Sequence, residues 1–516
     1  MELMKKNIHM DCCGNHTSTQ ITVEEDFVIP DVQPDISEVI FEHCQVKLED
    51  ARSSEDHVAI HGELEVAVLY QTEGSEKSLA HVQKTIPIRE EVYLDGVKAG
   101  DVIDVKWKLE DLTVGVINSR KLNIRALLEL KLQERSIRDE EAVSSFYDEE
   151  MVEHRQKTIQ VVQLAVSKKD IYRVRQDIEI GNNLPNIQEI LFSSVQGGCL
   201  DFRLQRDKIL IKGEFPVFVL YEGEGEDAPV RFVESTLPVD GEIPCSGVRE
   251  EMISDISWQI THVEVDKKPD FDGEERMLAI EVVCSLDIKL YEEEELSLLS
   301  DVYGVTREIE AETVAGSFRR LLIKNDGILR MEEKLRVKTV SPILQLIHQE
   351  GKAVIEEVQI RKGSLDITGT LLLQCLYVTG DDSMPYRSFK EALPFTYTME
   401  IKDVRQDSIV HVDVCTGQLN VALSGSDEIE VKAQIHISVL AFEEIHEDII
   451  CDIKVGELDM ERQRKLPGIV IYVVKEGDSL WDIGKKYYVP VEKIKELNGL
   501  VQDTCKPMDK LLIVRA

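Results

Sequence analysis

The stretch VAIHGELEVAVLY, residues 58–70, decides the fold because the chain contains three related copies of it. The other two are ILIKGEFPVFVLY (209–221) and LDITGTLLLQCLY (365–377). Their glycines, Gly62, Gly213 and Gly369, are 151 and 156 residues apart. Apolar residues alternate on both sides of each glycine, which predicts a β-strand with one buried face. In the first copy that face comprises Val58, Ile60, Gly62, Leu64, Val66, Val68 and Tyr70.

Other landmarks keep the same spacing and extend the repeat beyond the strand. The tyrosines that close the three stretches are separated by the same 151 and 156 residues. A proline also precedes each glycine by 28, 28 and 27 residues, at Pro34, Pro185 and Pro342. So many coincident offsets indicate three copies of one structural unit. We place these β-domains at residues 21–135, 170–292 and 325–450.

Two local features complete the prediction for each repeat. A glycine inside a strand predicts a β-bulge or the close approach of a neighbouring backbone. The proline-led segments QPDISEVI, LPNIQEIL and SPILQLIH predict a short helix, because proline is tolerated in a first helical turn. Ile36, Val39 and Ile40 fall at helical spacing behind Pro34. The predicted fold class is therefore mainly β, with three tandem antiparallel β-domains that each carry a short helix.

The segments between the repeats are acidic and polar. They read SIRDEEAVSSFYDEEMVEHRQ (136–156), YEEEELSLLSDVYG (291–304) and CDIKVGELDMERQRKLPG (451–468). Runs of like charge usually mark solvated faces or linkers. We therefore predict linkers or solvated faces at all three places.

Composition narrows the range of functions. The 516 residues carry a formal charge of −38, which argues against a nucleic-acid ligand. The N-terminus has no apolar stretch typical of a signal peptide, and no membrane span is expected. The ten scattered cysteines predict reduced, individually buried thiols in a cytosolic protein. Cys12, Cys13 and His16 lie close together, but a mobile N-terminal tail is favoured over a metal or redox site.

The C-terminal residues, 469–516, follow a different pattern. IVIYVV predicts a buried strand, Gly477 a turn, and Asp478 or Ser479 the cap of a first helix. Pro490 opens a second helix, which Asn498-Gly499 ends, and LLIV (511–514) predicts a returning strand. The order is βααβ. The inner faces of the two helices are predicted to carry Leu480, Ile483 and Tyr487, and Val491, Ile494 and Leu497.

This βααβ segment resembles the LysM family in its motif residues. The matching positions are Tyr472, Val474, Gly477, Asp478, Ser479, Leu480, Trp481, Ile483, Tyr487, Val489, Leu497 and Asn498. The resemblance implies a sugar-binding groove between the loop at Gly477, Asp478, Ser479 and Leu480 and the loop DTCKPMDK (503–510). Two positions depart from the family pattern. Pro507-Met508-Asp509 replaces the usual Pro-Gly-Gln, and Tyr488 occupies a position where glycine is common.

Trp481 has two interpretations from the sequence. It is either a core aromatic residue of the module or an exposed contact for a ligand.

The β-repeats, with their GE…VLY strand and PDI segment, resemble the SPOCS domain of spore-coat-associated proteins. Their combination with one C-terminal LysM module is similar to the SipL-like family of spore coat morphogenesis proteins. That resemblance implies an adaptor in the mother-cell cytoplasm at the forespore surface. It also implies that the LysM module contacts the coat-basement ATPase, stage IV sporulation protein A, with other coat proteins as possible partners.

Two other functions remain open on the sequence alone. A LysM module could bind peptidoglycan of the forespore cortex or the wall. A hydrolase is disfavoured because GxxxxGK[ST], GxSxG, HExxH and paired CxxC motifs do not occur. No catalytic residue, cofactor or metal site is therefore predicted.

Overall fold

A computed structural model describes residues 2–74, 78–147, 152–225, 229–338, 341–381, 383–425, 427–458, 466–502 and 504–515. Antiparallel strands dominate these residues, as the sequence predicted. Each repeat forms a β-domain of two sheets. The strands of the first domain are β1 (Leu3–Val28), β2 (Asp35–Ser54), β3 (His57–Glu73), β4 (Leu79–Tyr93), β5 (Val102–Asn118) and β6 (Lys121–Phe146).

The sheet topology of the first domain recurs in the other two. In the first domain the sheet orders are β2-β3-β4 and β1-β6-β5. The second domain contains β7 (Val152–Glu179), β8 (Ile187–Val195), β9 (Asp201–Gln205), β10 (Lys208–Gly223), β11 (Val230–Pro244), β12 (Ile253–Pro269) and β13 (Glu275–Gly304). The third contains β14 (Glu308–Arg336), β15 (Ile343–Arg361), β16 (Ser364–Thr379), β17 (Tyr386–Glu400), β18 (Ile409–Leu423) and β19 (Glu428–Gly456).

The repeated motif forms the middle strand of one sheet in each domain, namely β3, β10 and β16. The predicted inner face of β3 is buried from Val58 to Tyr70. A Cβ atom added to Gly62 would lie 2.5 Å from the carbonyl oxygen of Lys47 on β2. The pairing register of β2 shifts between Leu48 and Asp50, opposite this glycine. The predicted close backbone approach and bulge are therefore both confirmed.

The helix predicted behind each proline is wrong, because these segments are strands. Residues 35–54 form β2, which pairs along β3. Two bulges, between Ile36 and Glu38 and between Val39 and Phe41, break the alternation of side chains. The first bulge turns Ile36 and Val39, three residues apart, toward the core of the first domain, whereas Ile40 is buried in a separate cluster where the domains meet. β15 has corresponding register shifts, and β8 is likewise extended.

The joints are not linkers where they continue the strands, at 136–146, 152–156, 291–304 and 451–456, but their acidic side chains form solvated faces, which is the other alternative of the prediction. Beyond the domains, β1 pairs with β6, β7 with β13, and β14 with β19, as two-stranded ribbons. We call the three ribbons together the stem, residues 3–11, 137–146, 152–164, 290–304, 308–321 and 442–456. Its interior contains Ile8, Met10, Ala142, Ile159, Val161, Leu296, Leu298, Phe318 and Ile449. Acidic residues face outward between these apolar ones. The high content of acidic residues therefore hid the alternation that would have predicted strands in the joints.

The three domains meet around an approximate threefold axis. Phe41, Phe192 and His348 are separated by the same 151 and 156 residues as the motif glycines, so they are equivalent. Their ring centroids lie 5.1, 5.8 and 5.9 Å apart in the three pairings. Leucines and isoleucines at further equivalent positions surround them. This apolar axis core comprises Ile40, Leu69, Leu191, Leu220, Ile347 and Leu376 among others.

One carboxylate next to the axis core contacts all three domains. Glu350 of the third domain accepts a hydrogen bond from the Ser194 hydroxyl of the second at 2.5 Å. Its other oxygen lies 3.2 Å from His43 Nδ1 of the first domain. Burial opposes both charges, but His43 and His348, the latter with Nε2 3.0 Å away, hold the pKa of Glu350 well below its ordinary value, and Glu350 holds the pKa of His43 above its own. The domains are thus joined by an ion pair as well as by apolar packing.

The N-terminus is a strand and not the predicted mobile tail. Residues 3–28 form β1, and Asp11 within it is only 2% exposed. Cys12 is half-buried and His16 is exposed, while the side chain of Cys13 lies outside the described atoms. Among the described residues, no group of three or more histidine, cysteine or acidic side chains is arranged to hold a metal.

The thiol prediction is wrong for one pair of cysteines. Cys199 of the second domain and Cys415 of the third form a disulfide, with Cα atoms 5.6 Å apart. The spacing of the cysteines in the sequence gave no sign of this disulfide, because 216 residues separate the two cysteines. Several others are buried thiols as predicted. Burial raises the pKa of Cys284 and Cys375 to about 12.

Candidate functional site: the C-terminal module and its seat on the stem

The C-terminal module has the predicted βααβ order. Its elements are β20 (Ile469–Val473), α1 (Leu480–Tyr487), α2 (Val491–Asn498) and β21 (Lys510–Val514), with β20 and β21 antiparallel. The inner face of α1 is buried as predicted. On α2, Ile494 is fully buried but Leu497 is 41% exposed, so the predicted inner stripe is wrong at its last position.

The first helix begins where the sequence indicated. Ser479 is the N-cap, and its side chain accepts a hydrogen bond from the backbone of Asp482, whose carboxylate in turn accepts from the Ser479 backbone. This reciprocal pair is a capping box. Asp478 has a different role, because its carboxylate accepts hydrogen bonds from the Tyr472 hydroxyl at 2.7 Å and the Lys475 backbone at 2.8 Å. The first loop is therefore held rigidly by its own polar side chains.

The second helix is tied to the last strand by one side chain. The Asn498 amide donates hydrogen bonds to the carbonyl oxygens of Ile494 and Leu512, each at 2.8 Å. Its oxygen accepts from the Leu512 backbone at 2.6 Å. Gly499 then ends the helix in a left-handed conformation, with φ of 64°. The predicted helix stop thus also fixes the returning strand.

The two loops of the predicted groove lie against each other. The Met508 backbone donates a hydrogen bond to the Val474 carbonyl at 2.8 Å, and Cys505 Sγ lies 3.5 Å from the Asp478 carbonyl oxygen. The predicted groove residues differ in what they offer a ligand. Leu480 is in the module core and Ser479 is engaged in the cap, whereas Gly477 and Pro507 are exposed.

Both departures from the family pattern adopt glycine-like backbone conformations. Tyr488 has φ of 56° and Met508 has φ of 75°. Such angles are costly for residues with a Cβ atom. Met508 is 77% exposed at the rim of the groove, and Tyr488 is half-buried at the end of α1. The chain therefore retains a loop geometry suited to glycine while placing large side chains in it.

The module is seated on the end of the stem through Trp481. The Trp481 indole N–H donates a hydrogen bond to Asp301 at 2.7 Å, and its ring packs edge-to-face on Tyr303 with centroids 4.8 Å apart. Lys485 also lies 2.6 Å from Asp301. Burial opposes the charge of Asp301, but these two donors hold its pKa below the ordinary value. The Tyr303 hydroxyl donates to the Val489 carbonyl at 2.9 Å.

The comparisons with known proteins agree with this architecture. The family described as SipL, SPOCS domain matches residues 35–117, 186–268 and 342–424. The LysM domain family matches residues 472–514. The chain carries three SPOCS domains and a LysM domain. This is the SipL-like architecture that the sequence predicted. Neither the curated proteins nor the solved structures that were compared gave a match.

The SPOCS and LysM domains indicate a sporulation-related protein with a C-terminal LysM module. The strands of the first SPOCS domain extend beyond the matched residues, from Leu3 to Phe146. None of the helices in the described part of the chain is long and apolar enough to cross a membrane.

Trp481 is thus neither in the LysM core nor free at the surface. It is half-buried between the LysM domain and the stem. The sequence also missed its partners, Asp301 and Tyr303, because nothing in the acidic joint distinguished them from a solvated run. A tertiary contact between segments 180 residues apart leaves no local pattern.

Proposed function

We propose that the chain is a non-catalytic spore morphogenesis adaptor that helps to recruit and anchor the spore coat at the forespore surface. In this proposal the LysM domain binds the coat-basement ATPase, stage IV sporulation protein A, and the SPOCS domains form the scaffold. The protein acts in the mother-cell cytoplasm and concentrates at the forespore surface. The SPOCS and LysM architecture supports this proposal.

The observation that carries the choice of a protein partner is the exposed Met508 at the rim of the LysM groove. A bulky apolar side chain next to a rigid loop is a typical anchor for a protein interface, in which methionine is enriched. A sugar ring lying on the loop would need the space that this side chain occupies. The first loop and Met508 together therefore form the proposed contact surface, and Tyr488, at the other end of α1, is a second candidate contact.

The contact between the LysM domain and the stem is suited to an adaptor. Trp481, Lys485 and Tyr303 fix the orientation of the LysM domain on a stem to which all three SPOCS domains contribute strands. Because the groove residues are not used in this contact, a partner can bind them without displacing the domain. Binding at the groove is thereby linked mechanically to the whole scaffold.

Substitution of the two departing residues tests the proposal in the full chain. Tyr488→Gly and Met508→Gly should weaken binding to the purified ATPase. Each substitution removes the strain of a positive φ. Each should therefore leave the free energy of unfolding of the LysM domain unchanged or raise it by up to about 1 kcal/mol. Loss of binding could then not be attributed to unfolding. Phe271→Ala, which truncates a fully exposed aromatic residue of the second SPOCS domain, is the matched control and should bind normally.

Peptidoglycan binding is the second candidate, because the two loops of the glycan groove do meet in this structure. Calorimetric titration of the full chain with chitin and peptidoglycan oligomers separates the two. The adaptor proposal expects weak glycan binding and no competition with the ATPase. Tight glycan binding without measurable ATPase binding would establish the wall-binding function in its place.

A further inference from the structure

The disulfide between Cys199 and Cys415 joins two separately folded domains. The core of the second domain and the core of the third are distinct clusters, and neither contains these two residues. Both cysteines are half-buried, so they are neither sealed in a core nor fully exposed. Neither domain therefore requires the bond to build its own core. Its direct effect is to fix the second domain against the third.

The backbone around Cys199 differs from the equivalent backbone in the other two domains. β2 and β15 are continuous strands of 20 and 19 residues. In the second domain the equivalent strand is broken, because β8 ends at Val195 and β9 begins at Asp201. The intervening residues include Gly197 and Gly198, directly before Cys199. A Cβ atom added to Gly198 would clash with the carbonyl oxygen of Glu214 on β10, so glycine lets this connection run close to β10 and hold Cys199 at the edge of the domain.

The partner cysteine is on a wall that small molecules can reach. The three SPOCS domains surround a partly open cavity of about 1190 Å³. Cys415, together with Trp107, Trp258 and Lys352, is among its lining residues. In contrast, Cys284 and Cys375 are fully buried, and burial raises the pKa of each thiol to about 12. These two core thiols are therefore poor competitors in exchange at neutral pH.

We propose that Cys199 and Cys415 form a thiol–disulfide exchange site, which reversibly locks the second SPOCS domain to the third. One thiolate attacks a small-molecule disulfide such as oxidised glutathione, forms a mixed disulfide and releases one reduced thiol. The second cysteine, as its thiolate, then attacks the protein sulfur of the mixed disulfide and releases the second thiol. Two electrons pass from the protein to glutathione, and the protons of the two cysteines end on the two released thiols.

The exchange site is consistent with the proposed cytoplasmic location, and it does not depend on the proposed ATPase partner. A cytoplasm keeps accessible thiols reduced, so the chain would be made with the site open. The bond would form when the surroundings become oxidising, and it would then hold the domain arrangement in place.

The test uses the full chain under defined redox conditions. Alkylated in denaturant, the fully reduced protein should have ten reactive thiols, as many as it has cysteines. After incubation with oxidised glutathione, peptide mapping should find the 199–415 cross-link, with neither of these two cysteines carrying glutathione. The oxidised protein should also melt at a higher temperature than the reduced one. Millimolar reduced glutathione should reverse both changes.

Three variants make the result specific. Cys199→Ser and Cys415→Ala should each abolish the intramolecular cross-link and the redox-dependent shift in melting temperature. Cys451→Ser, which removes an exposed cysteine of the stem, should retain both. Failure of oxidised glutathione to form the 199–415 bond would overturn the proposal. A bond that millimolar reduced glutathione cannot open would also overturn it, because the cross-link would then be permanent. The ATPase is absent from this experiment, so its outcome is separate from that of the proposed function.

Discussion

Replacement of Asp11 by asparagine removes a negative charge from a buried network that connects all three ribbons of the stem. Asp11 on β1 accepts hydrogen bonds from Arg319 on β14 at 2.7 Å, and from Tyr291 and Lys289 on β13 at 2.9 and 3.2 Å. Asparagine has nearly the same shape, so packing is preserved. Arg319 and Lys289 then lose the carboxylate that lies 2.7 and 3.2 Å from them in a largely buried position.

The expected loss follows from the burial of the network. Breaking a buried ion pair by removing one partner typically costs about 3 to 5 kcal/mol, because the remaining charge stays desolvated. We expect Asp11→Asn to lower the free energy of unfolding by about that amount at pH 7. Burial alone would raise the pKa of Asp11, but Lys289 and Arg319 outweigh it and hold the pKa below 3.8. The contribution is therefore complete above pH 3.8 and is lost as the pH falls through the lowered pKa.

Urea denaturation followed by tryptophan fluorescence measures the loss. The midpoint of the first transition should be compared, because a chain of several domains need not unfold in one step. Asp139→Asn is the matched control in the same ribbon, since Asp139 pairs with His9 and both side chains are 53% exposed. It should cost less than about 1 kcal/mol. Equal small effects of the two substitutions would refute the role assigned to Asp11.

Three further predictions concern the axis, the motif glycine and the LysM domain. Glu350→Gln should destabilise the domain assembly by about 2 kcal/mol. The loss should be largest between pH 4.5 and pH 6.5, the ordinary pKa values of Glu350 and His43. The lowered pKa of Glu350 contributes stability above pH 4.5, and the raised pKa of His43 contributes stability below pH 6.5. A pH-independent loss in calorimetry would contradict this. Gly62→Ala should cost about 1 to 3 kcal/mol more than Gly115→Ala, where an added Cβ meets no atom within 4 Å; equal melting temperatures would disprove the close approach. Asn498→Ala should cost the LysM domain about 2 kcal/mol through its lost hydrogen bonds, and an unchanged circular-dichroism melt of its helices would count against this reading.

The sequence by itself determined the elements whose signals are local or repeated. Three copies of one motif predicted three β-domains, and the alternation from Val58 to Tyr70 predicted the inner face of β3. The LysM helices could be placed from their caps and their stops, at Ser479 and Gly499. Each of these features depends on residues a few positions apart, so a single sequence contains the information.

The tertiary structure decided the conformation of two kinds of segment, the proline-led segments and the acidic joints. The segment behind Pro34 has helical spacing, yet it is a strand, because pairing with β3 satisfies its backbone and a bulge turns Ile36 and Val39 toward one core. The acidic joints form strands because each finds a partner ribbon and a shared interior in the stem. In both cases hydrogen bonds to a distant strand outweigh the local pattern.

Contacts between domains were decided by the tertiary structure alone. Phe41, Phe192 and His348 come together only because three equivalent surfaces meet on one axis. Trp481 and Asp301 form a hydrogen bond although 180 residues separate them, and Cys199 and Cys415 are bonded across 216. Such pairs share no local periodicity or spacing. These contacts are stabilised by burial and charge pairing between domain surfaces, and those surfaces exist only after each domain has folded.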